Sequence, residues 1–128
     1  MVLFPKASEA DLRAHLGGYE IHGTDALKPM KFSSGGQKSR VAFAAMTFNR
    51  PHVVILDEPT NHLDMESIKA LSNALRKFAG GVLLISHDQF FIKSVCDEIW
   101  VIEEASVKTF HGSFDEYKKS QLAKLQTK

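Results

Sequence analysis

Two short apolar runs, each followed at once by polar side chains, constrain this sequence more than any other feature. The runs, residues 53–56 and 82–85, are rich in leucine and β-branched residues and show no alternation with polar positions. Such runs are typical of parallel strands that are buried on both faces. Residues 65–78 between them have helical periodicity, with an apolar face of Ile68, Leu71, Leu75 and Phe78. The pattern predicts a strand–helix–strand unit with a parallel sheet, and therefore an α/β fold.

Capping and turn residues predict the remaining elements. Ser8 can cap a short helix, and Ser33 precedes a glycine turn that opens a longer, alanine-rich one with Val41, Ala42, Ala45 and Phe48 at helical spacing. The predicted helices are residues 8–16, 34 to about 49, 89–95 and 113 to about 125. The predicted strand pair near the C-terminus is 99–102 with 107–110, and residues 19–31 are predicted to form a loop.

Composition excludes several classes of protein. The 128 residues are 44% hydrophobic and 24% charged with a formal net charge of +1, which is ordinary for one small globular domain. The near-neutral charge does not indicate nucleic-acid or membrane binding, and no run approaches the roughly 20 apolar residues of a membrane span. The single cysteine, Cys96, excludes an internal disulfide and favours a reducing, cytoplasmic location.

The predicted strands end in side chains that carry chemistry. Asp57 and Glu58 follow the first strand, and His87 follows the second. Ligands of open parallel sheets bind outside the carboxyl ends of the strands, so these three residues form a candidate site. Asp57 could hold Mg²⁺ through its water shell, Glu58 could orient an attacking water, and His87 could bond a terminal phosphate. Taken singly, each also has a plainer interpretation, as a turn cap or a structural histidine.

A second candidate site lies at the start of the alanine-rich helix. Ser34, Gly35, Gly36 and Gln37 combine a hydroxyl, two glycines and the positive end of a helix, which together suit a phosphate group. An ordinary serine-capped helix is the alternative interpretation of these residues. The other histidines show no metal-ligand spacing with Cys96, so we predict no metal site built from protein ligands alone.

The ordered set of these motifs resembles a known family. The string from Ser34 to Ala44, the string from Leu56 to Asp64 and Ser86-His87-Asp88 together resemble the signature, Walker B, D-loop and H-switch of ATP-binding cassette (ABC) ATPases. The string from Phe110 to Tyr117 resembles the C-terminal end of a cassette of the ABC-F subfamily. The chain is most similar to the ABC-F subfamily, and within it to the second cassette of Gcn20-type members. The resemblance spans residues 4–117.

The resemblance implies a fold, a ligand and partners. It implies a P-loop NTPase-like cassette fragment that binds ATP and Mg²⁺, pairs head to tail with a second cassette, and acts on the ribosome without a membrane domain. Residues 1–50 would belong to the helical subdomain, 51–112 to the core and 113–128 to a C-terminal helix. Asp57 would serve Mg²⁺, Glu58 the attacking water and His87 the γ-phosphate. The opposite cassette's ATP would meet the turn of Ser34, Gly35, Gly36 and Gln37, and Asp64 would couple the two sites.

The sequence departs from the family pattern in two places. The phosphate-binding loop needs Gly, four residues and Gly-Lys-Ser/Thr, and the nearest string, residues 18–23, is followed by Thr24-Asp25. Ser33 stands where the family usually has leucine. We therefore expect the loop upstream in a longer chain, and weak ATP binding with negligible hydrolysis by these residues alone. Without upstream strands, the sheet is expected to expose Val54, Ile55, Leu83 and Ile85.

Three other functions stay open at this point. A split-head ATPase of the Rad50 and chromosome-maintenance type also separates signature from phosphate loop, although no long heptad region precedes the signature here. A non-catalytic half-cassette could pair with a complete cassette. Lys118, Lys119, Lys124 and Lys128 could form a nucleic-acid-binding tail, although a solvated helix face explains them as well.

Overall fold

The computed structural model describes residues 3–127, which form two units, Met1–Ser86 and His87–Lys128. Each unit is described by itself below. In the first unit the elements are α1 (Glu9–Gly17), α2 (Gly35–Phe48), β1 (Val53–Asp57), α3 (Met65–Lys77) and β2 (Gly81–Ile85), with short 3-10 turns at Gly23–Ala26 and Met30–Phe32. In the second they are α4 (Gln89–Val95), β3 (Ile99–Glu103), β4 (Ser106–Phe110) and α5 (Phe114–Gln126).

The predicted strand–helix–strand unit is confirmed. Strands β1 and β2 pair in parallel, with Val53 opposite Gly81 at one end and Asp57 opposite Ile85 at the other. Helix α3 connects them along the chain. The two strands therefore finish at the same edge of the sheet, which is the edge where parallel sheets bind ligands.

Burial of this sheet differs from the sequence prediction. Val54 and Leu56 are buried, but Val53 is 59% and Ile55 is 66% exposed. The prediction of strands buried on both faces is therefore wrong for this chain, and Val54 does not belong among the exposed residues. Successive side chains of a strand point to opposite faces, so covering one face of a two-stranded ladder leaves every second residue open. In β2 the exposed large residues are Leu83 and Ile85.

We expect this open face to drive association of the 128-residue polypeptide. Replacing Ile55 and Ile85 by threonine keeps the β-branch and removes apolar surface, so sedimentation should shift toward monomer with stability nearly unchanged. Leu56→Ala is the control, because Leu56 is 5% exposed and its truncation should cost about 2–5 kcal/mol in the free energy of unfolding. Unchanged association in the threonine variant would contradict this prediction.

Polar contacts hold α1 and the segment after it against α2. The Tyr19 hydroxyl and Thr47 Oγ1 are 2.6 Å apart, and His15 Nε2 donates to the Ala44 carbonyl at 2.8 Å. Burial raises the pKa of Tyr19, an effect that the hydrogen bond to Thr47 partly offsets. The buried residues of α2 are Arg40, Ala44 and Thr47. Ala42, one of the apolar positions predicted for this helix from the sequence, is exposed.

The second unit contains the predicted antiparallel pair and the last helix. Strand β3 pairs with β4 through a turn in which Glu104 and Ala105 have positive φ. Helix α5 begins at a capping box of Ser113 with Glu116. Two of the tail lysines have partners, since Lys118 bonds Gln89 and Lys124 bonds Glu103, which favours a solvated helix face. Lys128 lies outside the described residues.

The described helices are short or polar. The longest has 14 residues, and no helix within residues 3–127 combines the length and the apolar character that a membrane crossing requires.

Candidate functional site

Asp57 and Glu58 lie at the carboxyl end of β1. Asp57 is the last strand residue and is exposed, and Glu58 N donates to Ile85 O at 2.8 Å. Glu58 has a φ of 46°, a left-handed conformation that costs a residue with a side chain about 1–2 kcal/mol. The backbone therefore reverses at Glu58, and the two adjacent carboxylates do not continue the alternation of the strand.

His87 is reached two residues after Ile85 along the chain and opens the second unit. The next residue, Asp88, caps α4, since its Oδ1 accepts a hydrogen bond from Phe91 N at 3.0 Å. The sequence relation between β2 and His87 is therefore the predicted one: a strand end, a short connection and a helix start.

The turn formed by Ser34, Gly35, Gly36 and Gln37, here called the glycine turn, starts α2. Gln37 N donates to Ser34 Oγ at 3.1 Å and Ser34 N donates to Gln37 Oε1 at 3.0 Å, which is a capping box. Lys28 Nζ also donates to Gln37 Oε1, at 3.3 Å. Ser34 and Gly35 are exposed. The Ser34 hydroxyl still has its own proton to donate, and the first helical amides have no partner inside the helix, so the turn can hold an anion as well as cap.

Gly36 lies against the start of α3. A Cβ added to Gly36 would lie 2.6 Å from Ser67 Oγ and 2.9 Å from Asp64 Oδ2, distances at which one group must move. Asp64 caps α3 by accepting from Ser67 N at 2.9 Å. The neighbouring Ser67 hydroxyl first, and the Ser67 N–H next, hold the pKa of Asp64 below its usual value. Two regions predicted separately, the glycine turn and Asp64, are thus in contact within one unit.

Arg40 is the residue here that sequence reasoning missed. It is only 5% exposed, and its Nε donates to Gly36 O at 3.4 Å. Its Nη1 donates to Glu20 O at 3.3 Å and lies 3.7 Å from Glu66 Oε1. The available signal was spacing: Arg40 is four residues after Gly36 and shares a helix face with Ala44 and Thr47.

A cavity of about 1200 Å³ lies near the amino ends of β1 and β2, away from the edge where parallel sheets bind ligands. Its lining includes Pro51 and His52 before β1 and Gly80 and Gly81 at the start of β2. None of the predicted site residues lines it. Asp57 and Glu58 lie at the opposite edge, the carboxyl end of β1, where parallel sheets bind ligands.

Metal binding by this chain alone has little support in its geometry. Within residues 3–127, no three or more His, Cys, Asp or Glu side chains are grouped as a metal would need. Mg²⁺ is compatible with a single exposed carboxylate, because it keeps several waters and takes one or two protein oxygens together with those of a phosphate. Asp57 fits that limited role.

Comparison with known proteins gives consistent matches. A family described as ABC transporter matches residues 6–61. "ATP-binding cassette sub-family F member 3" of Rattus norvegicus is 56% identical over 90% of this chain and 16% of its own length. "Protein GCN20" of Saccharomyces cerevisiae is 52% identical over 90% of this chain and 15% of its own length. "ABC transporter F family member 3" of Arabidopsis thaliana is 48% identical over 93% of this chain and 17% of its own length.

The chain spans about a sixth of the length of these curated relatives, while they cover nine-tenths of it. The parallel β1–β2 pair and the flanking helices agree with part of a P-loop NTPase-like fold. The chain belongs to the ATP-binding cassette family and, within it, to sub-family F.

Proposed function

We propose that this chain supplies part of an ATP-binding and ATP-hydrolysing site in a cytoplasmic cassette protein that acts on the ribosome. The observation that carries the proposal is the placement of Asp57 and Glu58 at the carboxyl end of β1, with the backbone reversed at Glu58. Two adjacent carboxylates at the edge where parallel sheets bind ligands support a chemical role for the pair.

The roles of the carboxylates and His87 follow from their chemistry. Mg²⁺, when bound, would neutralise charge on the phosphates, and Asp57 would hold it through water. Glu58 would accept a proton from the attacking water or orient it. His87, which follows β2 in the sequence, would donate a hydrogen bond to the terminal phosphate.

The glycine turn would serve a second nucleotide. In a head-to-tail pair of cassettes, Ser34, Gly36 and Gln37, with the amide of Gly35, would meet the phosphate of ATP held by the other cassette. The exposed capped helix start supports this, because its first amides carry positive potential. Asp64, which lies against Gly36, would transmit the state of one site to the other.

The proposed partners are a second cassette, in the same or another chain, and the ribosome. Pairing is supported by the family and by the exposure of Ser34 and Gly35. The ribosome is proposed from the ABC-F resemblance, and sedimentation of the full natural chain with ribosomes, with and without ATP, tests it.

Magnesium-dependent ATP turnover by the full natural chain tests the proposed function. Asp57→Asn removes the charge that would face the metal, so we expect turnover to fall about 10-fold and the Mg²⁺ requirement to rise. Asp97→Asn, at an exposed carboxylate of the second unit, is the matched control. Equal turnover in both variants would contradict the role of Asp57, and an inactive wild-type chain would contradict the function itself.

The 128-residue polypeptide by itself should hydrolyse ATP negligibly. Its sequence contains no Gly-x₄-Gly-Lys-Ser/Thr string, and backbone amides and the lysine of that string make most contacts to the β- and γ-phosphates. A phosphate-release assay on the purified polypeptide checks this, and turnover of about 1 s⁻¹ or more, an ordinary enzymatic rate, would contradict it.

A further inference from the structure

Arg40 joins three separate segments of the first unit. From the second turn of α2, its guanidinium reaches the carbonyl of Gly36 in the glycine turn and the carbonyl of Glu20 after α1. The same group lies 3.7 Å from the Glu66 carboxylate in the first turn of α3. Its charge also contributes to the lowered pKa of Asp64, which caps α3. Arg40 thus links the starts of α2 and α3.

Stability alone does not account for an arginine at this position. Burying a charge is costly unless the charge is well paired, and apolar residues of similar volume often replace buried ion pairs without loss of stability. The Arg40 side chain is 6% exposed, but the Glu66 side chain that faces it is 73% exposed, so water screens the pair. What only arginine provides is a planar group with donors in several fixed directions.

We propose that Arg40 is a positioning residue that holds the glycine turn against Asp64 and Ser67, so that the two helix starts move as one body. This inference rests on the proposed function, because it concerns the turn that would meet the second ATP. The Nε–H donated to Gly36 O fixes the peptide on which the close approach to Ser67 depends. Lysine, with a single ammonium at the end of a flexible stem, cannot bond Gly36 O and Glu20 O in this fixed geometry.

Hydrogen exchange in the full natural chain tests the linkage directly. The Gln37 amide is capped by Ser34 Oγ and the Ser67 amide by Asp64 Oδ1, so each reports on one helix start. In Arg40→Lys we expect both amides to exchange about 10-fold faster. The Glu116 amide, capped in the same way by Ser113 Oγ in the second unit, should not change and serves as the internal control.

Steady-state kinetics supply a readout that a merely structural role would not move. For Arg40→Lys and Arg40→Met we expect kcat for ATP to fall about 10-fold, since small displacements of positioned groups are costly, while KM stays within about 2-fold. Arg13→Lys is the matched control, because Arg13 is half-exposed and pairs only loosely with Glu9 at 3.5 Å. Its kinetics should equal those of the wild type.

Several results would overturn the proposal. One is a lower melting temperature in the Arg40 variants with kcat per folded molecule unchanged. Another is faster exchange at Gln37 with none at Ser67, which would mean that the helix starts are not linked. If the Met variant fails to fold, the Lys variant decides. A wild-type chain without ATPase activity would contradict the proposed function, and the exchange comparison would still decide the role of Arg40.

Discussion

Replacing Glu58 by glutamine should reduce ATP hydrolysis by the full natural chain about 100-fold to 10,000-fold, the usual contribution of a general base. Glutamine keeps the size of the side chain and can accept a hydrogen bond, but it cannot take a proton. Glu58 stands at the end of β1 with its amide bonded to Ile85 O, and neither feature depends on the carboxylate charge. ATP binding and ATP-dependent pairing of cassettes should therefore survive.

The matched control for this variant is Glu104→Gln. Glu104 is exposed and, like Glu58, has a positive φ, 49° against 46°. The two substitutions therefore make the same chemical change at similar backbone conformations, and only the one at Glu58 should affect phosphate release.

A second substitution separates catalysis from backbone strain. Glycine adopts a left-handed conformation without the penalty paid by other residues, so Glu58→Gly should keep or slightly raise stability while abolishing turnover. Thermal unfolding and phosphate release, measured on the same samples, check this pair of outcomes. Full activity in Glu58→Gln would remove Glu58 from the chemistry and leave its reversed backbone to be explained by the turn alone.

Local capping signals predicted the element boundaries well. Ser8 accepts a hydrogen bond from the backbone amide three residues later, as predicted, and Ser34 does the same, in agreement with the serine-capped alternative. Ser113, the predicted first residue of the last helix, also caps its helix in this way. The apolar runs likewise predicted β1 and β2, because a run of β-branched and leucine residues bounded by polar ones has few alternatives to a strand. These signals lie within a few residues of the element that they specify.

Features that depend on distant segments were not predictable in the same way. Arg40 was not among the predicted core positions of α2, yet it is buried and donates a hydrogen bond to Glu20 O, a carbonyl twenty positions earlier in the chain. The open face of Ile55 was expected in part, but which strand residues alternate inward depends on which face is covered. The residues next to Val54 in sequence do not specify which face of the strand is covered, although Val54 is buried in the structure.

The candidate site, too, was predictable where it depends on local sequence and not where it depends on distant segments. The sequence order and chemistry of Asp57, Glu58 and His87 were evident from the strand ends, and their roles remain predictions. The contact of Gly36 with Asp64 and Ser67 was not evident, because those residues lie about thirty positions apart in sequence. Motif reasoning explained Gly36 by its approach to phosphate, whereas the structure adds a steric reason within the chain itself.

The two glycines of the turn should respond oppositely to alanine. A Cβ at Gly36 would meet Ser67 Oγ at 2.6 Å and Asp64 Oδ2 at 2.9 Å, whereas a Cβ at Gly35 would meet nothing within 4 Å. Both residues lie in the first turn of α2. Gly35→Ala should therefore stabilise the fold by up to about 1 kcal/mol through helix propensity. Gly36→Ala should destabilise it by about 1–3 kcal/mol, because the clash outweighs that gain.

Activity should separate the two variants further. The methyl group at residue 36 must displace the glycine turn or the start of α3, since Ser67 is fully buried and cannot swing into solvent. If the turn binds phosphate as proposed, a displacement of about 1 Å is expected to cost about 100-fold in ATP turnover. Chemical denaturation of the full natural chain measures the stability effect, with Gly35→Ala as the steric control, and phosphate release compares Gly36→Ala with the wild type. If Gly36→Ala were as stable as Gly35→Ala and as active as the wild type, the glycine turn and Asp64 would not be in the contact described, and the linkage through Arg40 would lose its basis.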